Sequence, residues 1–403
     1  MTETPAPEVL PLDQPADGVP DVVTSESGVD AAATAIAAGS GPVAIDAERA
    51  SGYRYGQRAY LVQVRRDGAG TWLFDPVAVP DLSPIDAAIG GAEWILHAAT
   101  QDLACLAEVG LRPRQLFDTE LAGRLLGLPR VGLAAVVEHY LGLGLAKEHS
   151  AVDWSMRPLP SSWLRYAALD VEVLGEIRNL MGVDLARAGK SEWARQEFSA
   201  LLDWSATPRV DPWRRTSGMH RVRGARGLAY VRELWLERER MAAARDIAPG
   251  RLTPDSVLVE IAQHAQNDPH TLPPGSRVIG RYRREWLAAL ARAAALPAAA
   301  LPPATLPNDG PPPPRAWVEK NPVAARRLTA VREALARFSG EHSVPVENVI
   351  SPDPLRRVIW SPPDGAPETE AFDAALTAAD VRPWQREIVI PLLQHYWDRT
   401  TTA

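Results

Sequence analysis

"AIDAERASGYRYGQRAYLVQVRR", Ala44 to Arg66, is the stretch on which the reading of the whole chain turns. Its start, preceded by Pro42-Val43, is a short apolar run that ends in two acids, Asp46 and Glu48. Its second half is again apolar and β-prone, so the stretch reads as two strands with a polar connection. Residues two apart in a strand project from the same face, and Asp46 and Glu48 therefore converge on one point. Side-by-side carboxylates repel, and each raises the other's pKa unless a cation lies between them. Mg²⁺ or Mn²⁺ is the natural cation, because hard divalent ions prefer oxygen ligands.

Asp-x-Glu recurs at Asp118/Glu120 and Asp170/Glu172, but both of those pairs lie in stretches of helical period. There, residues two apart diverge by about 200°, so only the first pair is built to share a ligand. Two carboxylates do not fill an octahedral shell. "LHAATQDLACL" offers Asp102 at the start of a helix just after an apolar strand. "WLRYAALDVEVL" offers Asp170, with Tyr166 one helical turn earlier on the same face, the chain's one Tyr-x-x-x-Asp.

Outward from these residues, the apolar runs "PVAID", "AYLVQV", "TWLFD" and "EWILHA" are followed by helical-period stretches such as "TELAGRLLGL" and "LAAVVEHYLGL". Short polar connections between the first three runs predict antiparallel neighbours. Residues 31–182 thus form an α/β domain with its strands first. Beyond about 185 the pattern turns helical. Val231-Arg232-Glu233 and Val331-Arg332-Glu333 each precede a Pro-Asp pair by about twenty residues, suggesting two related helical units. "LPAAALPPATLPNDGPPPP" separates them and reads as a stiff linker. Residues 1–30 carry seven acids and no Lys or Arg and are expected to be disordered.

At 403 residues the chain is long enough for two or three domains, and its 46% hydrophobic content supplies real cores. A single cysteine, Cys105, excludes an intramolecular disulfide and a cysteine-rich zinc site. No apolar run is long enough to span a bilayer, and the N-terminus has no signal-peptide pattern. The net charge of −7 hides a basic middle: residues 209–251 hold eleven Arg against five acids, which suggests local handling of a polyanion.

Asp46-x-Glu48 on a first strand, Asp102 after "LHAATQ" and Tyr166-x-x-x-Asp170 on a later helix resemble the three motifs of 3′→5′ exonucleases with four metal-binding acids. "LFDTELAGRLLG" and "KEHSAVDWSMRPL" narrow the resemblance to the ribonuclease D family. The aromatic-poor "AERASG" departs from that family's first motif but keeps both acids. The position five before Asp170, histidine in a related subclass, is Arg165, so the chain is similar to the tyrosine type.

The resemblance implies a ribonuclease H-like mixed-sheet exonuclease domain at 31–182 and a connecting helical segment at 183–214. It implies an all-α HRDC domain at 215–295, the Pro-rich linker at 296–316 and a second HRDC-like helical domain at 317–398. It further implies two divalent cations held by Asp46, Glu48, Asp102 and Asp170, and a water oriented by Tyr166. The expected activity is cytoplasmic trimming of RNA 3′ ends, of tRNA precursors or other small structured RNA, with release of 5′-mononucleotides. A DNA 3′→5′ exonuclease and a catalytically silent RNA-binding scaffold are the alternatives, and no obligate protein partner is evident.

Lys147 and His149, with Arg214, Arg215, Arg221, Arg223 and Arg226, are the expected nucleic-acid contacts. Asp118 is expected to cap a helix rather than bind an ion. His97 is expected to be a buried, hydrogen-bonded residue, and Trp154 and Trp163 to be anchors.

Overall fold

The computed structural model of the chain describes residues 9–145, 151–306 and 310–399. Strands β1 (Leu10–Leu12) and β2 (Val22–Val23) and helix α1 (Glu26–Ala38) come first. β3 (Ser40–Arg49), β4 (Ala59–Asp67), β5 (Gly70–Phe74), α2 (Ser83–Ile89), β6 (Trp94–Leu96) and α3 (Leu103–Glu108) follow. Next are β7 (Leu116–Asp118), α4 (Thr119–Leu125), α5 (Leu133–Leu141) and β8 (Leu143–Leu145), then α6 (Ser161–Glu172), α7 (Leu174–Arg187) and α8 (Ser191–Leu202).

Six strands form one mixed sheet in the order β2-β5-β4-β3-β6-β7. β4 runs antiparallel to both β3 and β5, as the short connections predict, while β6 and β7 add in parallel beside β3. Strand alternation then sorts the side chains by face. Val43, Ile45 and Ala47 enter the main core, which also takes in Val29 and Ile36 of α1 and Ile85 and Ile89 of α2. Leu61 and Leu73 pack with Ala167 of α6, and Ala44 and Ile95 pack with Val171. Burying each of these larger side chains contributes about 1.5–3 kcal/mol. Asp46 and Glu48 alternate with the residues of the main core, so they share the face that α6 covers.

The segment expected to be a disordered tail carries structure from Leu10 onward, a correction to the sequence reading. β1 pairs in parallel with β8, β2 pairs in parallel with β5, and the Ala16 N–H donates to Glu172. Two- and three-residue strands have no readable period, and their pairing partners lie far along the chain. At Ser25 the local signal is real: its hydroxyl accepts from the Gly28 N–H and caps α1.

The helical half opens with α9 (Gly224–Arg245), α10 (Pro249–Leu252), α11 (Asp255–Ala265), α12 (Arg277–Arg281) and α13 (Arg283–Ala295). It continues with α14 (Trp317–Lys320), α15 (Pro322–His342), α16 (Val346–Val349), α17 (Pro352–Trp360), α18 (Thr369–Thr377) and α19 (Pro383–Arg399). α9-α10-α11 and α15-α16-α17 repeat one design: a long helix, a single turn, then a helix opening on the Pro-Asp pair. Both long helices end on a left-handed residue, Asp246 at φ 48° and Ser343 at φ 47°.

The two units meet the α/β domain differently. The first has its own core, built on Leu234, Leu258, Trp286 and their neighbours. The core of the second is continuous with that of the α/β domain. Trp193 of α8 stacks on Trp384 of α19 at 4.6 Å, and the Trp384 indole N–H donates to Glu197. Gly127 sits at φ +74°, and a Cβ there would collide with the Ser343 carbonyl. The buried Lys190 ammonium donates to the carbonyls of Leu125, His342 and Ser343, tying both sides of this seam.

Lys190→Met keeps the stem but leaves three carbonyls without their donor. It is expected to destabilise the chain by about 1–3 kcal/mol, the cost of unsatisfied buried groups. Urea unfolding of variant and wild type measures the difference.

Candidate catalytic and metal site

Three elements bring the predicted acids together. Asp46 and Glu48 stand at the end of β3, and Asp170 descends from α6; carboxylate oxygens of all three lie within 4.8 Å of one another. Asp102 precedes α3 and stands beside this cluster rather than in it, with its Oδ1 3.5 Å from Arg49 Nη2. Tyr166 lies one turn before Asp170 on α6, and its hydroxyl faces the Asp170 carboxylate.

Burial dominates the electrostatics. Glu48 is 9% exposed, Asp102 5% and Asp170 8%. Loss of water pushes the carboxyls of Asp46, Glu48 and Asp170 up, and the neighbouring acids push Glu48 and Asp170 further. Asp102 is pushed up to about 8, first by burial and then by the Asp46 charge. The Tyr166 hydroxyl is pushed above its ordinary range, by burial and then by Asp170, Glu48 and Asp46. At neutral pH it therefore keeps its proton and acts as a hydrogen-bond donor, not as a base.

This donor set suits a hard divalent cation, which supplies the charge that the four acids lack. Gln63 adds an independent sign. It sits directly opposite Asp46 on β4 and is fully buried, yet neither amide atom meets a hydrogen-bond partner among the described residues. A buried amide of this kind calls for a bound water or ion hydrate to satisfy it.

Acids that resemble these in sequence are used up elsewhere. Asp118 caps α4, accepting from the N–H groups of Glu120 and Leu121, and it also accepts from those of Ala98 and Ala99. Asp75 forms a two-point ion pair with Arg157, 2.6 Å at each contact. His97 lies 2.8 Å from the Thr119 hydroxyl, and burial pushes its imidazole down to about 4, so it is neutral and structural. Trp154 is fully buried, edge-on to Trp163 at 5.4 Å.

The expected nucleic-acid contacts divide. Lys147 and His149 lie outside the described residues. Arg215, Arg221 and Arg223 are exposed. Arg214 and Arg226 are engaged within the helical unit itself. Arg214 pairs with Asp211, lies over the Trp213 ring at 4.4 Å and donates to the Pro303 carbonyl. Arg226 donates to the carbonyls of Ala293 and Ala294 at the end of α13. A count of charges along the chain carries no information on where each guanidinium points.

Two features of the site were not anticipated from the sequence. Arg49 is the cation that pairs with Asp102, and its only signal was its place next to Glu48. The loop at 50–58, between β3 and β4, is braced by the first helical unit. The Ala248 N–H donates to Tyr53 O at 2.9 Å, and Arg251 donates to Gly52 O at 2.7 Å and covers the Tyr53 ring. Asp246 accepts from the Tyr55 N–H and faces Arg54 and Arg58. Glu48, Arg49, Ser51 and Tyr53 line a cleft of about 270 Å³. A larger cavity of about 710 Å³ between β7, α7 and α8 is lined by none of Asp46, Glu48, Asp102 and Asp170.

Comparison with known proteins agrees with this arrangement. A family profile described as 3′-5′ exonuclease matches residues 20–186, one described as HRDC domain matches 227–290, and one described as 3′ to 5′ exonuclease C-terminal domain matches 310–396. The Ribonuclease D of Gluconacetobacter diazotrophicus is 31% identical over 320 residues, covering 75% of this chain and 78% of that protein. The crystal structure of a protein from Bifidobacterium adolescentis superposes with a TM-score of 0.85 at 37% identity, over 97% of this chain and 100% of the other. That of Escherichia coli RNase D, an exoribonuclease involved in structured RNA processing, gives 0.66 at 25% identity, over 94% and 98%. Domain order, sequence relatives and superposition coincide on one conclusion: this chain belongs to the ribonuclease D family of 3′→5′ exonucleases.

Proposed function

We propose that the chain trims structured RNA, tRNA precursors among it, from the 3′ end in the cytoplasm, releasing 5′-mononucleotides with the aid of two divalent ions, Mg²⁺ or Mn²⁺. Membership of the family implies divalent-metal use and RNA 3′ ends as substrate. The observation that carries the reading is the convergence of Asp46, Glu48 and Asp170 within 4.8 Å, with Asp102 beside them. The Escherichia coli relative, which processes structured RNA, supports the substrate class. No helix among the described residues is long and apolar enough to cross a membrane.

In this reading Asp46, Glu48, Asp102 and Asp170 hold the cations. When bound, these supply charge to activate a water and to stabilise the departing 3′ oxygen. Tyr166 contributes orientation: its retained proton leaves the hydroxyl oxygen a fixed acceptor that can align the attacking water. Exposed Arg215, Arg221 and Arg223 would grip phosphates without regard to sequence.

The deciding experiment is a time course on matched RNA and DNA 3′ ends, with and without chelator. RNA should shorten from its 3′ end to mononucleotides, chelator should stop the reaction, and DNA should be cut more slowly. Binding without shortening would favour a silent scaffold, and equal or faster DNA digestion would favour a repair nuclease. Asp46→Asn is expected to lower the rate roughly 10³-fold or more, the scale of a lost metal ligand. Tyr166→Phe should cost about 10- to 100-fold in kcat with little change in KM, the pattern of a group acting only in the transition state.

The ion-free chain should also respond to pH in one direction. Asp102 has a folded value of about 8 against an ordinary 3.8. A carboxyl raised in this way adds stability below about pH 4 and loses it as pH climbs through about 8. In chelator, the thermal midpoint should therefore fall between pH 5 and 8, and saturating Mn²⁺ should flatten that slope.

A further inference from the structure

Arg49 closes β3 one residue after Glu48, and its guanidinium is the positive charge that Asp46, Glu48 and Asp102 feel in common. Its Nη2 lies 3.5 Å from Asp102 Oδ1, and its side chain is only 26% exposed. Asp102, in turn, stands outside the group of three carboxylates that lie within 4.8 Å of one another. Asp102 sits at the first position before α3, yet its side chain makes no capping bond to the helix, and among the described residues no backbone N–H donates to its carboxylate.

A guanidinium and a divalent ion both seek the oxygens of an ionised carboxylate. Arg49 cannot yield by losing its proton. It can yield only by moving, and the cleft it lines with Glu48, Ser51 and Tyr53 gives it room.

We propose that Arg49 is a positioning residue that holds Asp102 as an internal counter-cation until divalent ions displace it. Ion uptake then exchanges the Arg49–Asp102 pair for an Asp102–metal contact, and Arg49 sets how tightly the site takes its ions. The inference rests on the reading of the four acids as the metal site, which the experiment tests separately.

Calorimetric titration of the full chain with Mn²⁺ alone, without RNA, compares wild type with Arg49→Met and Arg49→Lys. Removing the competing charge should tighten Mn²⁺ binding roughly tenfold in Arg49→Met, the scale of one close charge in a buried site. Arg49→Lys keeps a point charge without the planar fork and should fall between, and it keeps the test alive if the Met variant does not fold. In chelator at about pH 9, where the Asp102 carboxyl is ionised, Arg49→Met should lower the thermal midpoint, and that loss should vanish in an Asp102→Asn background, where the pair is already gone.

Unchanged or weaker Mn²⁺ binding in Arg49→Met overturns the proposal, as does a stability loss that persists with Asp102→Asn. If wild type takes up no Mn²⁺ at all, the metal reading of the site falls with it. If wild type binds Mn²⁺ and degrades RNA while Arg49→Met titrates identically, only the role of Arg49 falls.

Discussion

The crowding of carboxylate oxygens at the end of β3 is the constraint around which the rest of the chain is arranged. At 4 Å and an effective dielectric near 20, two ionised carboxylates repel by about 4 kcal/mol. Keeping a proton on an ordinary carboxylic acid at pH 7 costs about the same, since three pKa units amount to about 4 kcal/mol. With several such pairs in one place, an ion-free cluster relieves the repulsion by drawing in the Arg49 guanidinium and by taking up protons. Burial pushes all four acids in that direction. The force that keeps them close must come from elsewhere, and it is apolar. Leu61 and Leu73 against Ala167, and Ala44 and Ile95 against Val171, clamp α6 to the sheet. At about 1.5–3 kcal/mol for each larger side chain, a few such contacts exceed the repulsion of one carboxylate pair.

The two helical units apply one architecture to different ends. The second shares a core with the α/β domain through Trp384, Trp193 and Phe198, so its separation from that domain would expose apolar surface. The first keeps its core to itself and reaches the loop beside the acid cluster through polar contacts. Asp246, at the left-handed end of α9, meets the Tyr55 N–H, while Arg251 and Ala248 take the loop's backbone. The corresponding left-handed residue of the second unit, Ser343, instead offers its carbonyl to Lys190. One backbone geometry at the end of a long helix thus supplies both attachments, the first at the mouth of the site and the second along the seam with α8.

What was legible in the sequence follows from period. Asp46 and Glu48 were readable because a strand repeats every two residues, and Tyr166 with Asp170 because a helix returns to the same face after four. The antiparallel order of β3, β4 and β5 was readable from short connections. Register was not, and register is what sets Gln63 opposite Asp46. β1 and β2 were missed because three and two residues carry no period, and because their partners lie over a hundred and about fifty residues away. The internal contacts of Arg214 and Arg226 were not readable, because charge density says nothing about the carbonyls of Pro303, Ala293 and Ala294 that those side chains reach.

Asp118 and Asp102 have like settings in the sequence but engage their carboxylates differently. Each precedes a helix and each follows a short buried strand by a few residues or none. Asp118 accepts four backbone N–H groups, from Ala98, Ala99, Glu120 and Leu121, and those bonds occupy both of its oxygens. A carboxylate so engaged would have to give up several hydrogen bonds before it could take an ion, each a net loss of about a kcal/mol or more. Among the described residues, Asp102 makes no capping bond, and its carboxylate meets the guanidinium of Arg49 at 3.5 Å. Its oxygens are left to charge rather than to backbone, and only such an oxygen can be handed from one cation to another.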